Sequence, residues 1–204
     1  MRRFPVAAGT ILAGACLVVL LPSAAAAHGM LQGVGNVYAG LLHPLLVPAE
    51  ALALVASALL LGSSGHAASR AGLPALAAGL ATGLAVGRHV PASFATPSLL
   101  TVAFLAAGVV TAGIRLPPMA AAAIAALAGI AVGIDARPDA GTLHQAITTG
   151  AATVIGASAL AVVVAALAVG RERGWQHIAI RVSASWITAC AILYFAWLAT
   201  SAPT

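Results

Sequence analysis

Residues 41–52 read LLHPLLVPAEAL, and this stretch governs the interpretation of the whole chain. It places His43 and Glu50 seven residues apart at the start of a long apolar run. Seven residues make nearly two turns of an α-helix, so both side chains lie on one face. A carboxylate inside a membrane span is costly and normally faces the protein interior, where it serves a function. The stretch therefore predicts a transmembrane helix with a polar site on its inward face.

The composition of the chain is not that of a water-soluble domain. Of its 204 residues, 62% are hydrophobic and 6% are charged, and the mean hydropathy is +1.07. A soluble domain of this length needs far more polar surface. The nine basic residues are arginines scattered near the ends of apolar runs, which is a pattern that sets membrane topology and does not bind nucleic acid. We therefore predict an all-α integral membrane protein whose surroundings are the lipid bilayer.

Residues 1–27 have the three parts of a secretory signal peptide. Two arginines follow Met1, an apolar run covers 6–21, and small residues occupy 23–27. Cleavage after Ala27 would leave His28 at the mature N-terminus, and the alternative is an uncleaved first span. Only two cysteines occur, Cys16 in this leader and Cys190 in the last apolar run, so we expect no disulfide framework.

Six apolar segments follow, each near the ~20 residues that a transmembrane helix requires. They cover roughly 41–62, 72–88, 97–114, 118–134, 144–169 and 177–199. Glycine and alanine recur at four-residue spacing in the second and fourth segments, as at Gly79, Gly83, Gly129 and Gly133, and such spacing lets helix backbones approach closely. We predict one domain, residues 28–204, folded as a compact bundle of six transmembrane helices after a cleavable signal peptide.

The arginines predict the orientation of this bundle. If the leader exports the N-terminus, the loops place Arg70, Arg115, Arg171 and Arg173 in the cytoplasm and only Arg88 and Arg137 outside. This asymmetry agrees with the positive-inside rule. We expect a multi-pass protein of the bacterial inner membrane with both mature termini in the periplasm.

The polar residues of the predicted outer end are candidate metal ligands. His43 and Glu50 lead, and the weaker candidates are His89, Asp135, His144 and His28. Imidazole and carboxylate groups suit first-row divalent metals such as nickel, cobalt, zinc or copper. Pro48 has no N–H and is expected to kink the first span between His43 and Glu50. Carbonyls freed by a broken membrane helix are tolerated where they line a cavity.

These residues also have plainer interpretations. His43 alternatively caps its helix at the membrane interface, and residues 135–139 alternatively form only a solvated turn. Arg181 either pairs with Glu50 or extends to the cytoplasmic surface. The sequence has no H-E-x-x-H, nucleophile elbow, Walker loop or dinucleotide fingerprint. We therefore do not expect an enzyme or a prosthetic group.

Three stretches carry a family resemblance: GLLHPL at 40–45, GIDARPD at 133–139 and RVSASWITA at 181–189. They resemble the HupE/UreJ family of hydrogenase and urease accessory membrane proteins, over essentially the whole mature chain. The resemblance implies uptake of nickel, sometimes cobalt, for metalloenzyme maturation, and it implies that His43 is a metal ligand. The family pattern after His-Pro-Leu continues x-Gly-x-Asp-His, whereas this chain has Val47, Ala49 and Glu50 at the defining places.

The functional expectation is a secondary permease for a divalent metal cation, nickel or cobalt, that supplies metalloenzyme maturation proteins. His43 and Glu50 would bind the metal on the outer side. With no ATP-binding motif, an ion gradient or the membrane potential would drive transport. The alternative is a non-transporting accessory or metal-binding scaffold protein of the same family, in which Glu50 is paired with Arg181 or capped by backbone.

Overall fold

The computed structural model describes residues 35–137, 142–169 and 174–201. The predicted signal peptide, His28 and Asp139 lie outside these ranges. The regular structure of the described ranges is entirely helical. Its α-helices are α1 (Asn36–Leu46), α2 (Pro48–Ser64), α3 (His66–Val86), α4 (Ala95–Ala112), α5 (Pro118–Asp135), α6 (Leu143–Val169) and α7 (Gly174–Ser201). Two short 3-10 turns, Gly87–His89 and Ala92–Phe94, connect α3 to α4.

Five of these helices, α3 to α7, are each long and apolar enough to cross a membrane. Helices α1 and α2 meet the same test only as a pair, with a bend of 72° between them. The described residues thus provide five candidate spans, or six if the bent pair counts as one span. The prediction of an all-α, multi-pass membrane protein is confirmed at this level, and the first predicted segment, 41–62, is divided between two helices.

The break between α1 and α2 is confined to Val47. This residue adopts an extended conformation, with φ −95° and ψ 108°, and Pro48 begins α2. Helical hydrogen bonds reach the break from both sides, since the Val47 N–H donates to the His43 carbonyl at 3.1 Å and the Ala51 N–H donates to the Val47 carbonyl at 3.0 Å. Pro48 cannot donate the bond that would continue the helix. The predicted kink at this proline is confirmed, and it amounts to a sharp change of direction.

Helix α2 is the central element of the bundle. It contacts α3, α4, α5 and α6 and, more lightly, α7. Leu54, Leu60 and Leu61 on α2 are fully buried, and most of the surrounding core consists of alanine. Because alanine is short, the neighbouring backbones lie close to α2 and enclose it along most of its length.

Glycines set the close approach of α3 and α5. A Cβ atom on Gly79 would collide with the carbonyl oxygen of Ala126, and one on Gly133 would collide with that of Leu80. Residues later in α3 contact residues later in α5, so the two helices are parallel. This is expected of the second and fourth spans of a bundle, because both cross the membrane in the same direction. The prediction that the small residues of these segments serve packing is confirmed.

The bundle has a junction end and an arginine end. The junction end contains the α1–α2 break, the turn after α3 and the end of α5. The arginine end contains the α2–α3 turn at Gly65 and a cleft lined by Ser63, Arg115, His177 and Arg181. Ser63 lies 13 residues after Glu50 on α2, which corresponds to about 20 Å along the helix axis.

Candidate metal site

The α1–α2 break brings His43 and Glu50 into contact. His43 lies in the last turn of α1 and Glu50 in the first turn of α2, and His43 Nε2 is 3.2 Å from Glu50 Oε1. On a straight helix, seven residues separate two side chains by about 10.5 Å along the axis, even on one face. The contact therefore depends on the 72° bend, and a polar pair forms only because Val47 and Pro48 interrupt the helix.

Glu50 is fully buried, while the His43 side chain is 18% exposed. The contact is short, but it does not have the geometry of a well-aligned hydrogen bond, and the side chains that interact with the Glu50 carboxyl group are His43 and Asp135. Burying a carboxylate costs several kcal/mol unless it is paired. The imidazole of His43 and the positive end of the α2 dipole offset part of this cost. A carboxylate has about four acceptor positions on its two oxygens, which is more than these neighbours can occupy.

Asp135, the last residue of α5, is the third charged group of the site. Its carboxyl group interacts electrostatically with both His43 and Glu50, and its side chain is half-buried. Of the weaker candidate ligands, this is the one that the fold brings to the His43–Glu50 pair. The interaction joins elements 85 residues apart in the sequence, α2 and α5.

Arg137 holds the end of α5 in place. Its Nη1 donates hydrogen bonds to the carbonyl oxygens of Gly87, at 2.9 Å, and Val90, at 3.2 Å. The segment that begins at Asp135 is therefore anchored to the turn after α3. The interpretation of this segment as only a solvated turn does not fit residues 135–137, because Arg137 is half-buried and bonded to backbone.

His89 and His144 occupy different surroundings. His89 is exposed, and its Nε2 accepts a hydrogen bond of 3.1 Å from Arg88 Nε. His144 is exposed in the first turn of α6. His28 lies outside the described residues. Within the described ranges, no group of three or more histidine, cysteine, aspartate or glutamate side chains is arranged to hold a metal ion. The site therefore consists of a two-residue pair with Asp135 nearby.

The geometry of the pair suits two neighbouring ligands of one ion. Nitrogen and oxygen ligands lie about 2.0–2.1 Å from a first-row divalent metal. At coordination angles of 90–109°, two such ligand atoms are roughly 2.9–3.4 Å apart. The 3.2 Å between His43 Nε2 and Glu50 Oε1 falls in this range. The distance between the two atoms thus fits two ligands of one cation.

Arg181 does not pair with Glu50, so that alternative is wrong. Arg181 Nε donates a hydrogen bond of 3.0 Å to the Thr111 carbonyl, and its side chain lines the cleft at the arginine end together with Ser63. The distance along α2 separates this cleft from Glu50 by about 20 Å. The charged neighbours of Glu50 are instead His43 and Asp135.

A polar face of α2 extends from this pair through the bundle. Ser57 and Ser64 follow Glu50 at successive intervals of seven residues, so the three side chains share one face. Ser57 is fully buried, and its hydroxyl bonds to the Ala53 carbonyl at 2.8 Å. The Ser64 hydroxyl is buried without a hydrogen-bond partner in the described part of the chain. The sequence analysis did not predict this polar face, although the seven-residue spacing of Glu50, Ser57 and Ser64 indicates that the three side chains share one side of the helix.

Comparisons with protein-family models, with curated proteins and with solved structures give no match. The resemblance to the HupE/UreJ family consequently stays a prediction from the three sequence stretches.

Proposed function

We propose that this protein is a secondary permease for a divalent metal cation, nickel or cobalt, and that the ion binds first at His43 and Glu50. The observation that carries the proposal is the fully buried Glu50 carboxylate, which lies 3.2 Å from His43 Nε2 and interacts with the second carboxyl group, of Asp135. A carboxylate in this position is stabilised by a positive charge, and a metal ion supplies one.

The ligand types support a borderline metal. One imidazole and one or two carboxylates match the preferences of nickel, cobalt and zinc better than those of calcium or copper(I), which favour all-oxygen and sulfur sites respectively. Asp135 interacts with both residues of the pair and is the natural third ligand after a side-chain rotation. The choice of nickel or cobalt within this group rests on the HupE/UreJ resemblance.

The polar face of α2 supports a route for the ion. Beyond Glu50 it presents Ser57 and then Ser64, which lies beside the cleft at the arginine end. Ser57 is enclosed by fully buried neighbours such as Leu54 and Leu60, so this conformation is closed at the centre of the bundle. Passage requires the helices around α2 to separate there, as in alternating access.

The membrane potential is sufficient to drive uptake. In the orientation predicted from the arginines, the His43–Glu50 pair faces the periplasm and a divalent cation moves inward. Each elementary charge gains about 2.3 kcal/mol per 100 mV, so a divalent ion gains about 4.6 kcal/mol. The metal would then pass to maturation proteins of a metalloenzyme, the role that the family resemblance implies.

A second candidate function is a non-transporting accessory protein. One observation favours it: His43 Nε2 already lies 3.2 Å from Glu50 Oε1, so the two side chains can stabilise each other directly. In this account the contact between His43 and Glu50 only fixes the bend between α1 and α2, and metal transport is absent.

Accumulation of radioactive nickel in cells that lack their own high-affinity importer distinguishes the two functions. Wild type, His43→Ala, Glu50→Ala and the control His144→Ala, which changes an exposed histidine, are compared at equal membrane expression. The permease proposal expects uptake by wild type and His144→Ala that His43→Ala and Glu50→Ala abolish. No uptake of nickel, cobalt or zinc by wild type would favour the accessory protein.

A further inference from the structure

The arginine end contains a cationic cleft between α2, α4 and α7. It has a volume of about 180 Å³, and Ser63, Gly113, Arg115, His177 and Arg181 contribute to its lining. A neighbouring cleft of about 200 Å³ shares Ser63, Arg115 and His177 with it. Two arginines facing one small polar space are typical of a binding site for a negatively charged group.

The Arg181 guanidinium contacts the C-terminal end of α4. Its Nε donates to the Thr111 carbonyl at 3.0 Å. Its plane lies against Gly113, where a Cβ atom would be 3.6 Å from Arg181 Cζ. Gly113 ends α4 with a φ of +75°, a conformation that favours glycine. Within the described residues, the hydrogen bond to Thr111 engages Nε and not the two Nη groups.

The acids that the structure describes do not neutralise these arginines. The chain has four acidic residues. Glu50 and Asp135 lie at the junction end, and the other two, Asp139 and Glu172, are outside the described residues. Arg115 and Arg181 therefore form no ion pair with a described acid. Such charges near a membrane span favour an external anion.

An apolar groove continues from the cleft along the outside of the bundle. It has a volume of about 300 Å³ between α4 and α7 and is lined by Thr111, Ile178, Arg181, Val182 and Ser185. Ile178 and Val182 are 66% and 48% exposed on the membrane-facing surface. Arg181 lines both spaces and therefore connects a cationic cleft to an apolar surface.

Two tryptophans indicate where this region lies in the bilayer. Trp175 and Trp197 are both exposed on α7, 22 residues apart, and a third exposed tryptophan, Trp186, lies midway between them. The outer two are about 33 Å apart along the helix. Tryptophans gather at the two membrane interfaces, and the hydrocarbon core between them is about 30 Å thick. Arg181 is less than two turns from Trp175. With Trp175 and Trp197 taken as the two interface residues, the cleft lies at the headgroup boundary and the groove extends into the hydrocarbon.

We propose that this cleft binds the phosphate group of an anionic phospholipid through Arg115 and Arg181, with an acyl chain along Ile178 and Val182. Free phosphate carries the same charged group but makes no use of the groove. The groove is the reason for assigning the phosphate to a lipid. This inference does not depend on metal transport.

Native mass spectrometry of the purified full-length protein tests the proposal. Wild type is released from micelles containing phosphatidylglycerol and phosphatidylcholine with identical acyl chains, and the retained lipid is counted. We expect wild type to retain phosphatidylglycerol at least about fivefold more than phosphatidylcholine. Arg181→Gln and Arg115→Gln should each reduce this preference about fivefold. The control Arg70→Gln changes an exposed arginine of α3 outside the cleft and should retain the preference.

Two further measurements distinguish lipid binding from damage to the fold and from binding of free phosphate. Arg181→Lys retains the charge and should preserve most of the preference, which separates recognition of phosphate from damage to the fold. A large excess of inorganic phosphate should leave phosphatidylglycerol bound. The proposal is overturned if wild type shows no lipid preference, if Arg70→Gln loses as much as Arg181→Gln, or if inorganic phosphate displaces the lipid completely.

Discussion

Replacing Glu50 with glutamine separates the shape of the proposed metal site from its charge. Glutamine has nearly the same volume and fits the same fully buried position, but it removes the negative charge that a cation needs. The change leaves His43 and the α1–α2 bend in place. We expect the variant to fold and to lose most of its affinity for nickel.

The size of this loss follows from the site. Residues that merely orient a metal ligand typically affect metal affinity 10–100-fold. Glu50 is proposed to be one of two direct ligands, so its removal should weaken nickel binding by at least about 100-fold. That factor corresponds to about 2.7 kcal/mol of binding free energy.

Thermal unfolding of the purified protein reports this difference. At a nickel concentration of 100 times the wild-type Kd, binding stabilises the folded protein by about 2.7 kcal/mol. For a chain of 204 residues, this raises the Tm by roughly 5–11 °C. The same concentration only equals the Kd of Glu50→Gln, so the variant gains about 0.4 kcal/mol and at most about 2 °C.

His144→Ala is the matched control, because it removes an exposed histidine from the same end of the bundle. It should show the full nickel-dependent rise in Tm. A rise in Glu50→Gln equal to that of wild type would refute the assignment of Glu50 as a ligand. The Tm values without metal establish that each variant is folded.

Three more perturbations test the structure around the site. Gly129→Ala places a Cβ against the Leu76 carbonyl and should lower the Tm, because it destabilises the protein by about 1–3 kcal/mol. The control Gly108→Ala places its Cβ in open space and should not lower the Tm. Equal losses in the two variants would contradict the close packing of α3 and α5. Pro48→Ala restores a backbone N–H and favours a straight helix, which would separate His43 from Glu50. Calorimetry should therefore find a nickel affinity at least about tenfold weaker. An unchanged affinity would mean that other contacts maintain the bend between α1 and α2. Arg137→Ala removes two hydrogen bonds to backbone carbonyls and should speed backbone hydrogen exchange at residues 87–90. Unaltered exchange there would argue against the anchoring role of Arg137.

The helices could be predicted from the sequence because the local amino-acid composition is enough to identify a membrane-spanning segment. Apolar runs near 20 residues, interrupted by glycine, proline and charge, correspond to α3 to α7. Pro48 also marked the position of the break. The direction of the chain after Val47 could not be predicted, because the 72° bend depends on the packing of α1 against α6. There a Cβ atom on Gly156 would collide with the Leu41 carbonyl.

The site was predictable only in part. His43 and Glu50 were selected by their shared helical face, yet their contact arises from the bend and not from that face. From the sequence, Asp135 was one of several weaker ligand candidates, and Arg181 was either a partner of Glu50 or a side chain that extends to the cytoplasmic surface. Their positions are set by which helices are neighbours and by the end of the bundle at which each residue lies, and neither can be read from local sequence. The polar face through Ser57 was missed because a buried serine is common in membrane helices.

X-ray absorption at the nickel edge tests most directly whether His43 and Glu50 bind the same metal ion. Nickel bound to the wild-type protein should have only nitrogen and oxygen neighbours, at about 2.0–2.1 Å. The spectrum should also contain an imidazole signature that disappears when His43→Ala is loaded with nickel at high concentration. A sulfur neighbour, or an imidazole signature that His43→Ala leaves unchanged, would contradict the assignment of these two ligands.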